Sequence, residues 1–515
     1  MDLQTSIHDK RSDVTSAENI VPLCELAKGL EEAGEFESAV ETLYPFWNGP
    51  GNQPLVSGLH DRAKAELLLR AGTLTGWIGS SKQISGAQEA AKDLISESAT
   101  IFEALRIGEK VAEAHVDLAI CYWREGAMDE ARVTLQHVLE RLGNAQSEQK
   151  LRALLNSAIV ENVATRERES LRIYRQAYPL FEASSNHALK GKFHNSYATL
   201  LRSLGSSESR PDYIDKALVE YAAASYHFER AGHRRFQARV ENNVGYLYAT
   251  IGRFQDAQEH LTRARKLHLT VGDLGGAAGA EDSSAQAFLL EGKYDYAERA
   301  ARSAVRSLMV GGEQALLAEA LTTHGIALAR LKRFDVAKTV LDQAVGIGQS
   351  AGSPERGGIA AVTAIEELSN YLLVDHLQQY YSIAESMLSN SQNRSIRTRL
   401  GECARRVLAA EFASVKGEGR DAAEANAAAG AAVATFGSVP ASMPPGFSLD
   451  AEVLRYEGSL IRKALEDSGG SVTRAARLLG VTHQGLAFIL NGRHSDLLSI
   501  RTPVKKRRRS VMRNH

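Results

Sequence analysis

The sequence predicts an all-α protein in which a long array of paired helices precedes a small three-helix domain. Three observations support this prediction. Helical periodicity of apolar residues dominates from about Asn19 to Val415. Within that region a short phrase recurs at a fixed spacing, which is typical of a repeat architecture. Near the carboxyl end, "GGSVTRAARLLGVTHQGLAFILNG" places glycines between short apolar segments, as in a compact helical domain.

The composition fits a folded, helix-rich chain and favours no particular partner. The 515 residues include 11 Pro and carry a formal net charge of -1; proline interrupts helices because it lacks a backbone donor. Cys24, Cys121 and Cys403 lie far apart without a CxxC pairing, so we expect no disulfide, no metal site and no cofactor. Residues 1–18 are polar and no run of about 18 apolar residues occurs. We therefore expect a flexible amino terminus and a cytoplasmic protein that contacts no membrane.

The repeated phrase has the form Gly, any, aromatic, any, any, Ala. It reads "GEFESA", "GRFQDA" and "GKYDYA", with the degenerate copies "GAMDEA" and "KRFDVA". A small residue stands twelve positions before the final alanine, and a leucine or tyrosine stands four positions after it. We call the final alanine the marker alanine. The marker alanines that are forty residues apart are Ala177, Ala217, Ala257, Ala297 and Ala337.

These residues resemble tetratricopeptide repeats, over roughly 350 residues in about six to nine helical hairpins. The forty-residue period exceeds the family's usual 34 and implies longer helices or loops. The resemblance implies an α-solenoid, a superhelix whose concave face is lined by the first helix of each pair. Beyond Ser350 the pattern decays, so the predicted array at 19–416 ends in capping helices. A generic helical solenoid without this pairing geometry is the alternative.

The predicted concave face carries a column of polar side chains fifteen residues before the marker alanine. Counting an insertion of "SSESRPDY" into one copy, the column holds Asn162, Asn195, Asn242 and Asp282. A side-chain amide both donates and accepts hydrogen bonds, which suits an extended peptide backbone. We therefore expect this column to line a groove for a peptide or protein ligand.

Two cations extend the predicted groove. Lys192 and Arg239 precede Asn195 and Asn242 by three residues, which places them one helical turn away on the same face. Their charges would hold a carboxylate of the ligand. A solvated inner face without a ligand is the alternative interpretation.

A change of composition marks a domain boundary after the array. Residues 417–447 are rich in Ala and Gly and end in a stretch with three prolines, which predicts a linker. Residues 448–495 then read as a helix to Asp467, a stop at Gly469 and Gly470, and two further helices on either side of Gly480. This order predicts a helix-turn-helix preceded by a long helix.

The segment resembles the Fis-type DNA-binding domain of bacterial transcriptional regulators. The matching positions are Gly469, Gly470, Thr473, Ala475, Ala476, Leu478, Leu479, Gly480, Val481, Leu486 and Leu490. The resemblance implies that the third helix lies in the major groove, with Thr482 near a phosphate and His483, Gln484 and Ala487 among the contact residues. Relatives often carry arginines just after the turn, where this chain has His, Gln and Gly485.

Basic residues surround this segment. Residues 446–515 contain 13 Lys and Arg against 6 Asp and Glu, although the whole chain has a net charge of -1. The cations expected to contact phosphates are Arg474, Arg477, Arg493, Lys505, Lys506, Arg507, Arg508 and Arg509. The alternatives are a solvated tail or localisation signal at 496–515, and a three-helix unit that serves packing alone.

Motifs of common enzymes are absent from the sequence. It contains no GxxxxGK[ST] phosphate loop, no HExxH and no GxSxG, so we expect no catalytic activity. We expect a sequence-specific transcriptional regulator that binds double-stranded DNA, associates with the nucleoid, and uses its array to bind a peptide or protein or to form a homodimer. The alternative is a tetratricopeptide scaffold or adaptor whose carboxyl-terminal domain mediates protein contacts.

Overall fold

The computed structural model describes residues 20–82, 84–311, 313–350, 353–389, 391, 393–416, 449–479, 481 and 483–500. The chain divides into two compact units, Met1–Val433 and Ala434–His515. Every regular element within the described ranges is helical, as the sequence predicts. None of these helices combines the length and the hydropathy that a membrane crossing requires. The predicted amino terminus at 1–18 and linker at 417–447 lie outside the described residues.

In the described part of the first unit, nineteen helices follow one another. The first ten are α1 (Ile20–Ala33), α2 (Phe36–Thr42), α3 (Asp61–Ser81), α4 (Ala87–Ala104), α5 (Gly108–Glu125), α6 (Met128–Leu142), α7 (Glu148–Val163), α8 (Glu167–Glu182), α9 (His187–Ser207) and α10 (Pro211–Arg230). The other nine are α11 (Arg234–Thr250), α12 (Phe254–Thr270), α13 (Leu274–Glu291), α14 (Tyr294–Gly311), α15 (Gln314–Arg330), α16 (Phe334–Ser350), α17 (Pro354–Leu368), α18 (Val374–Leu388) and α19 (Arg394–Lys416).

Consecutive helices pack as hairpins, beginning with α1 and α2 and ending with α17 and α18. The first helices of neighbouring hairpins also touch, as α11 touches α13 and α13 touches α15. Each hairpin therefore has an apolar face that only its neighbour covers, which is the architecture of a tetratricopeptide-type solenoid. Helix α19 packs on α17 and α18 and adds Cys403 and Val407 to the same core.

The small residues of the repeat lie where paired helices approach most closely. All five marker alanines of the forty-residue series are buried. A Cβ atom added at Gly245 in α11 would lie 2.6 Å from Cγ of Leu261 in α12, and one at Gly325 in α15 would lie 2.5 Å from Cγ of Leu341 in α16. Because nothing larger fits between the helices there, the repeat requires small residues at these positions.

The hairpin of α7 and α8 departs from the predicted register. Its turn is made by Thr165, with a left-handed φ of 58°, where the turn before α12 uses Gly252 with a φ of 79°. Ser170 follows Thr165 by five residues and is fully buried. Its buried hydroxyl is satisfied by a hydrogen bond that it donates to the Ala158 carbonyl at 2.7 Å. Ser170 therefore takes the place of the marker alanine. The prediction that Ala177 marks this copy is wrong by two helical turns.

The repeated phrase also fails to reveal the hairpin of α3 and α4, although its spacing is present. Gly86 has a left-handed φ of 73°, and five residues later Ala91 is buried. A Cβ added at Gly79 would lie 2.2 Å from Cβ of Ala87, so these helices also touch closely. Gln88 stands at the position of the aromatic residue, which hides the phrase in the sequence.

The array curves until its first hairpin touches its sixth. Arg235, at the start of α11, donates from Nη1 to the Gly34 carbonyl at 2.5 Å, across 201 residues of sequence. A Cβ added at Gly34 would lie 3.4 Å from the Phe236 ring, and Arg235 Nη1 lies 3.9 Å from Glu37 Oε2. We call the contact of Arg235 and Phe236 with Gly34 and Glu37 the clasp. It brings helix α11 against the α1–α2 turn and closes the curve of the array.

The described part of the second unit is a three-helix domain with a short 3-10 helix. Its elements are α20 (Leu449–Asp467), α21 (Val472–Leu478), α22 (His483–Asn491) and the 3-10 helix Ser495–Ile500. Gly469 and Gly470 have left-handed φ values of 62° and 77° and end α20. The shared core includes Leu465, Leu486 and Leu497. Because Leu497 belongs to it, the domain continues past residue 495, where the sequence predicted its end.

Candidate functional site

Helix α22 is the third helix of the domain and the second helix of the helix-turn-helix. Leu486 fixes its inner face in the domain core. His483 and Gln484 form its first turn, which is the end that such a helix presents to base edges. Ala487 is half-buried, and Thr482 lies outside the described residues.

The predicted phosphate-binding cations differ in their surroundings. Arg474 and Arg477 lie one turn apart on α21, are exposed, and form no ion pair with a described residue. Arg493 Nη2 lies 2.6 Å from Glu457 Oε1, and His494 Nε2 lies 2.9 Å from Glu457 Oε2. Burial raises the pKa of Glu457, but His494 and Arg493 outweigh that effect and lower the pKa. Arg493 is therefore engaged within its own domain.

The tail carries the remaining predicted cations. These cations, which all lie outside the described ranges, are Lys505, Lys506, Arg507, Arg508 and Arg509.

The first unit encloses a cavity of about 490 Å³. Its wall is built mainly by the first helices of the first six hairpins, α1, α3, α5, α7, α9 and α11, together with Phe36 of α2, Tyr174 of α8, Phe228 of α10 and Asn186 before α9. The wall is thus the concave side that the tetratricopeptide resemblance implies. Phe36 and Trp77 stack at one part of it with ring centroids 5.3 Å apart, and the clasp residue Phe236 lies at another.

Four of the six predicted groove residues lie on the wall of this cavity: Asn162, Lys192, Asn195 and Arg239. Sequence reasoning missed Asn243, which also lies on the wall and whose Nδ2 donates to Asn195 Oδ1 at 3.0 Å.

The other two predicted groove residues do not line the cavity. Helix α11 turns Phe236, Arg239 and Asn243 toward it, and Asn242 lies about 100° further round the helix. Asp282 is buried in α13, beyond the helices of the wall. Gln286 donates to Asp282 Oδ2 at 2.8 Å, and burial raises the pKa of Asp282 to about 6. The column counted from the marker alanine fails here because α11 turns Asn243 rather than Asn242 toward the cavity and because α13 lies beyond the cavity wall.

A buried ion cluster lies beside the cavity, and sequence reasoning missed it. Arg70 in α3 lies 2.8 Å from Glu31 in α1 and 2.7 Å from Glu113 in α5. Its Nη2 also lies 3.6 Å from Asp117 Oδ2, and Asp117 Oδ1 lies 2.5 Å from Arg152 Nη2. Burial acts to raise the pKa of Glu113, but Arg70, Lys28, Arg152 and Lys110 together outweigh it and hold that pKa far below its ordinary value. The cluster joins four successive first helices.

Lys192 and Arg239 lie on the wall without such partners. Neither forms an ion pair or a hydrogen bond with a described residue; both lie beside the Phe236 ring, with Lys192 Nζ at 5.2 Å and Arg239 Cζ at 5.8 Å from its centroid. Burial lowers the pKa of Lys192 below its ordinary value. Arg239 keeps much of its surface open to the cavity, yet protein surrounds it and desolvation lowers its pKa as well.

Together these features define an α-solenoid protein that carries a terminal helix-turn-helix domain. Residues 455–487 match the family described as bacterial regulatory protein, Fis family. The match covers most of α20, all of α21 and the start of α22. The chain therefore carries a Fis-type domain, a DNA-binding regulatory module, behind a tetratricopeptide-type array. No curated protein matches the chain.

Several solved structures are similar to the chain at low sequence identity. A signal transduction ATPase with a tetratricopeptide repeat sensor from Pyrococcus horikoshii is 14% identical, with 75% of this chain and 54% of that one covered and a TM-score of 0.43. A Rap protein complexed with competence and sporulation factor is 16% identical, with 75% and 100% covered and a TM-score of 0.49. Yeast Tom70 is 12% identical, with 76% and 81% covered and a TM-score of 0.46. The chain spans about half the length of the first of these.

Proposed function

We propose that the protein is a sequence-specific DNA-binding transcriptional regulator whose repeat array binds a peptide or protein partner or mediates dimerisation. The observation that carries the proposal is the match of residues 455–487 to the Fis family. Two features of the domain support it. Helix α22 is the second helix of the helix-turn-helix, and in such domains the early residues of that helix meet base edges. Arg474 and Arg477 are exposed on the preceding helix.

In this proposal, one set of residues provides affinity for DNA and another set provides sequence specificity. Arg474 and Arg477, with Lys505 to Arg509 in the tail, attract the phosphate backbone of any duplex. Thr482, His483, Gln484 and Ala487 belong to the helix that reads the bases, and glutamine can bind adenine through two hydrogen bonds. Arg493 contributes less than the sequence predicted, because Glu457 already neutralises it.

The array supplies the regulatory input in this proposal. A cavity lined by cations and amides suits a ligand rather than a reaction, because no nucleophile with an adjacent base lies among its lining residues. We therefore propose a protein without catalytic activity whose array binds a ligand that regulates DNA binding.

One observation favours a second candidate function. Leu478 and Leu460 of the Fis-type domain are 64% and 45% exposed, and exposed apolar side chains suit protein contact. In that case the domain docks on another protein, and the chain acts as a tetratricopeptide scaffold or adaptor.

Selection of bound duplexes from a random pool by the full-length protein distinguishes the two functions. A regulator enriches one motif, and its affinity falls steeply as salt rises. Replacing Arg474 and Arg477 by Gln should weaken all duplexes alike, whereas His483→Ala with Gln484→Ala should reduce discrimination between sites. Lys463→Gln, an exposed cation paired with Asp467, is the matched control and should change little. The absence of any bound duplex in dilute buffer would favour the scaffold.

A further inference from the structure

We propose that His187, His194 and His227 form an acid-sensitive switch, which loosens the clasp when the His187–His227 pair takes up a second proton. We call these three residues the histidine cluster. The inference goes beyond the proposed function, because it concerns the array alone and does not depend on DNA binding.

The histidine cluster connects helices α9 and α10. His187 is the first residue of α9, and His227 lies in the last turn of α10. Their Nδ1 atoms lie 2.8 Å apart, and the ring of His194 stacks on the ring of His227 with centroids 5.4 Å apart. His194 is 1% exposed and His227 is 8% exposed. Protein rather than water therefore surrounds two of the three rings.

The hydrogen bond between His187 and His227 limits the charge that the pair can hold. One Nδ1 atom must donate, and the other must accept through its lone pair. The accepting ring is therefore neutral, and the bonded pair carries at most one positive charge. A second proton occupies that lone pair, which breaks the bond and leaves two charged rings with centroids 5.1 Å apart.

The surroundings compensate a proton on His194 but not a second proton on the pair. His194 Nδ1 lies 2.6 Å from Glu220 Oε2, and its Nε2 lies 3.4 Å from Glu182 Oε1. Neither His187 nor His227 forms an ion pair with a described carboxylate. The other titratable and charged groups around the histidine cluster are Tyr178 and Glu182 from α8, Lys190 from α9, and Glu220 and Tyr226 from α10.

The pKa of His227 agrees with this geometry. Burial lowers that pKa from an ordinary value of 6.5 to about 4, and the charges of Lys190, His194 and His187 act in the same direction. Between these two values the closed cluster binds fewer protons than an opened one. Its contribution to stability is therefore complete above about pH 6.5 and is lost as the pH falls toward about 4.

Phe228, the residue after His227, connects the histidine cluster to the clasp. It packs against α9 at Gly191, where an added Cβ would lie 2.7 Å from Phe228 Cδ1. Its ring stacks on the clasp residue Phe236 with centroids 5.2 Å apart, and Phe236 in turn contacts Gly34 of the α1–α2 turn. Separation of α9 from the end of α10 therefore displaces the ring against which the clasp packs.

Amide hydrogen exchange of the full-length protein at about pH 7.5 and about pH 5.5 tests the switch. His227→Asn is the decisive variant, because a side-chain amide can either donate or accept and so keeps a bond to His187 in both of its protonation states. The wild-type protein and the variant are compared at the same pH, which removes the direct effect of pH on the exchange chemistry.

At about pH 5.5, residues 20–47 should exchange about tenfold faster in the wild-type protein than in His227→Asn. This factor follows from one proton that binds with a pKa of 6.5 in the opened form and about 4 in the closed form. At about pH 7.5 the two rates should agree within about twofold.

Two further variants complete the test. His187→Asn replaces a less buried ring and should reduce the acid response, because the bond then survives protonation of His227. His376→Asn, in the first turn of α18, removes a histidine outside the cluster. This control should respond to acid as the wild-type protein does.

Equal exchange at 20–47 in the wild-type protein and His227→Asn at about pH 5.5 would overturn the proposal. An acid response confined to residues 187–233 would also overturn it, because the cluster would then open without affecting the clasp. A loss of the acid response in His376→Asn would contradict the assignment to these three histidines.

Discussion

Arg70 is a buried cation that forms ion pairs with carboxylates of the neighbouring hairpins. It is 2% exposed, and its guanidinium contacts carboxylates from the first helices of the hairpins before and after its own. Glu31, Glu113 and Asp117 all lie within 3.6 Å of this guanidinium, and Lys28 and Arg152 place further positive charge beside Glu113 and Asp117. Removing one partner of such a cluster costs more than the pair contributes, because the other charges stay buried.

Replacing Arg70 by Met should therefore lower the free energy of unfolding by about 3–5 kcal/mol, which is the cost of leaving buried carboxylates unpaired. Urea unfolding of the full-length protein measures it. The matched control is Arg141→Met, because the Arg141–Glu103 pair is exposed at 39% and 52% and should contribute no more than about 1 kcal/mol. Equal shifts for the two variants would show that the cluster does not stabilise the array.

At the scale of the helix, the fold depends on places where no side chain fits. Gly245 opposes Leu261 across the α11–α12 hairpin, so an added Cβ would lie 2.6 Å from Leu261 Cγ. Gly279 in α13 has nothing within 4 Å of an added Cβ. The same substitution is thus expected to have opposite effects at the two glycines, because only the first lies at a close helix contact.

Gly245→Ala should destabilise the protein by about 1–3 kcal/mol through overpacking. Gly279→Ala should stabilise it by about 0.4–1 kcal/mol, because alanine restricts the unfolded chain and favours the helix. Thermal unfolding of both variants, followed by circular dichroism at the helical band, checks the pair. A loss of stability in both variants would mean that the helices do not keep the described spacing.

The repeat spacing accounts for how much of the fold the sequence could predict. Hairpins whose turn contains glycine and an aromatic residue, such as the one at Gly252 and Phe254, show the phrase directly. The α3–α4 and α7–α8 hairpins have the same geometry, but Gln88 and Thr165 replace the expected residue types. Tertiary packing selects small size and a left-handed turn, and more than one residue type can satisfy those requirements.

The cavity was harder to predict because it depends on how successive hairpins rotate. Asn195 and Arg239 could each be placed by helical spacing within their own hairpins. Asn243 could not be preferred over Asn242 without the rotation of α11 about its axis. The Arg70 cluster joins residues 39 and 43 positions apart, on three different helices. A pattern within one repeat contains no information about such contacts.

At the scale of the whole first unit, the clasp joins α1 and α11, the two ends of the cavity wall. It joins segments 201 residues apart through one hydrogen bond from Arg235 to Gly34 and the contact of Phe236 with the same turn. Glu37 and Asp273 lie 3.9 Å and 3.6 Å from the Arg235 guanidinium. A contact of this size is weak compared with the packing inside each hairpin, so the junction between the first and sixth hairpins is where the array opens most readily.

Arg235→Ala should open the junction of the first and sixth hairpins without unfolding the array, because it removes the donor to Gly34 and the charge that faces Glu37 and Asp273. Amide hydrogen exchange of the full-length protein should then accelerate within residues 20–47, since opening exposes backbone that the clasp shields. Exchange in α15 to α18 should not change. Arg253→Ala, which removes an exposed arginine paired with Asp256 on its own helix, is the control. If Arg235→Ala and Arg253→Ala give the same exchange at 20–47, the clasp does not hold the cavity closed.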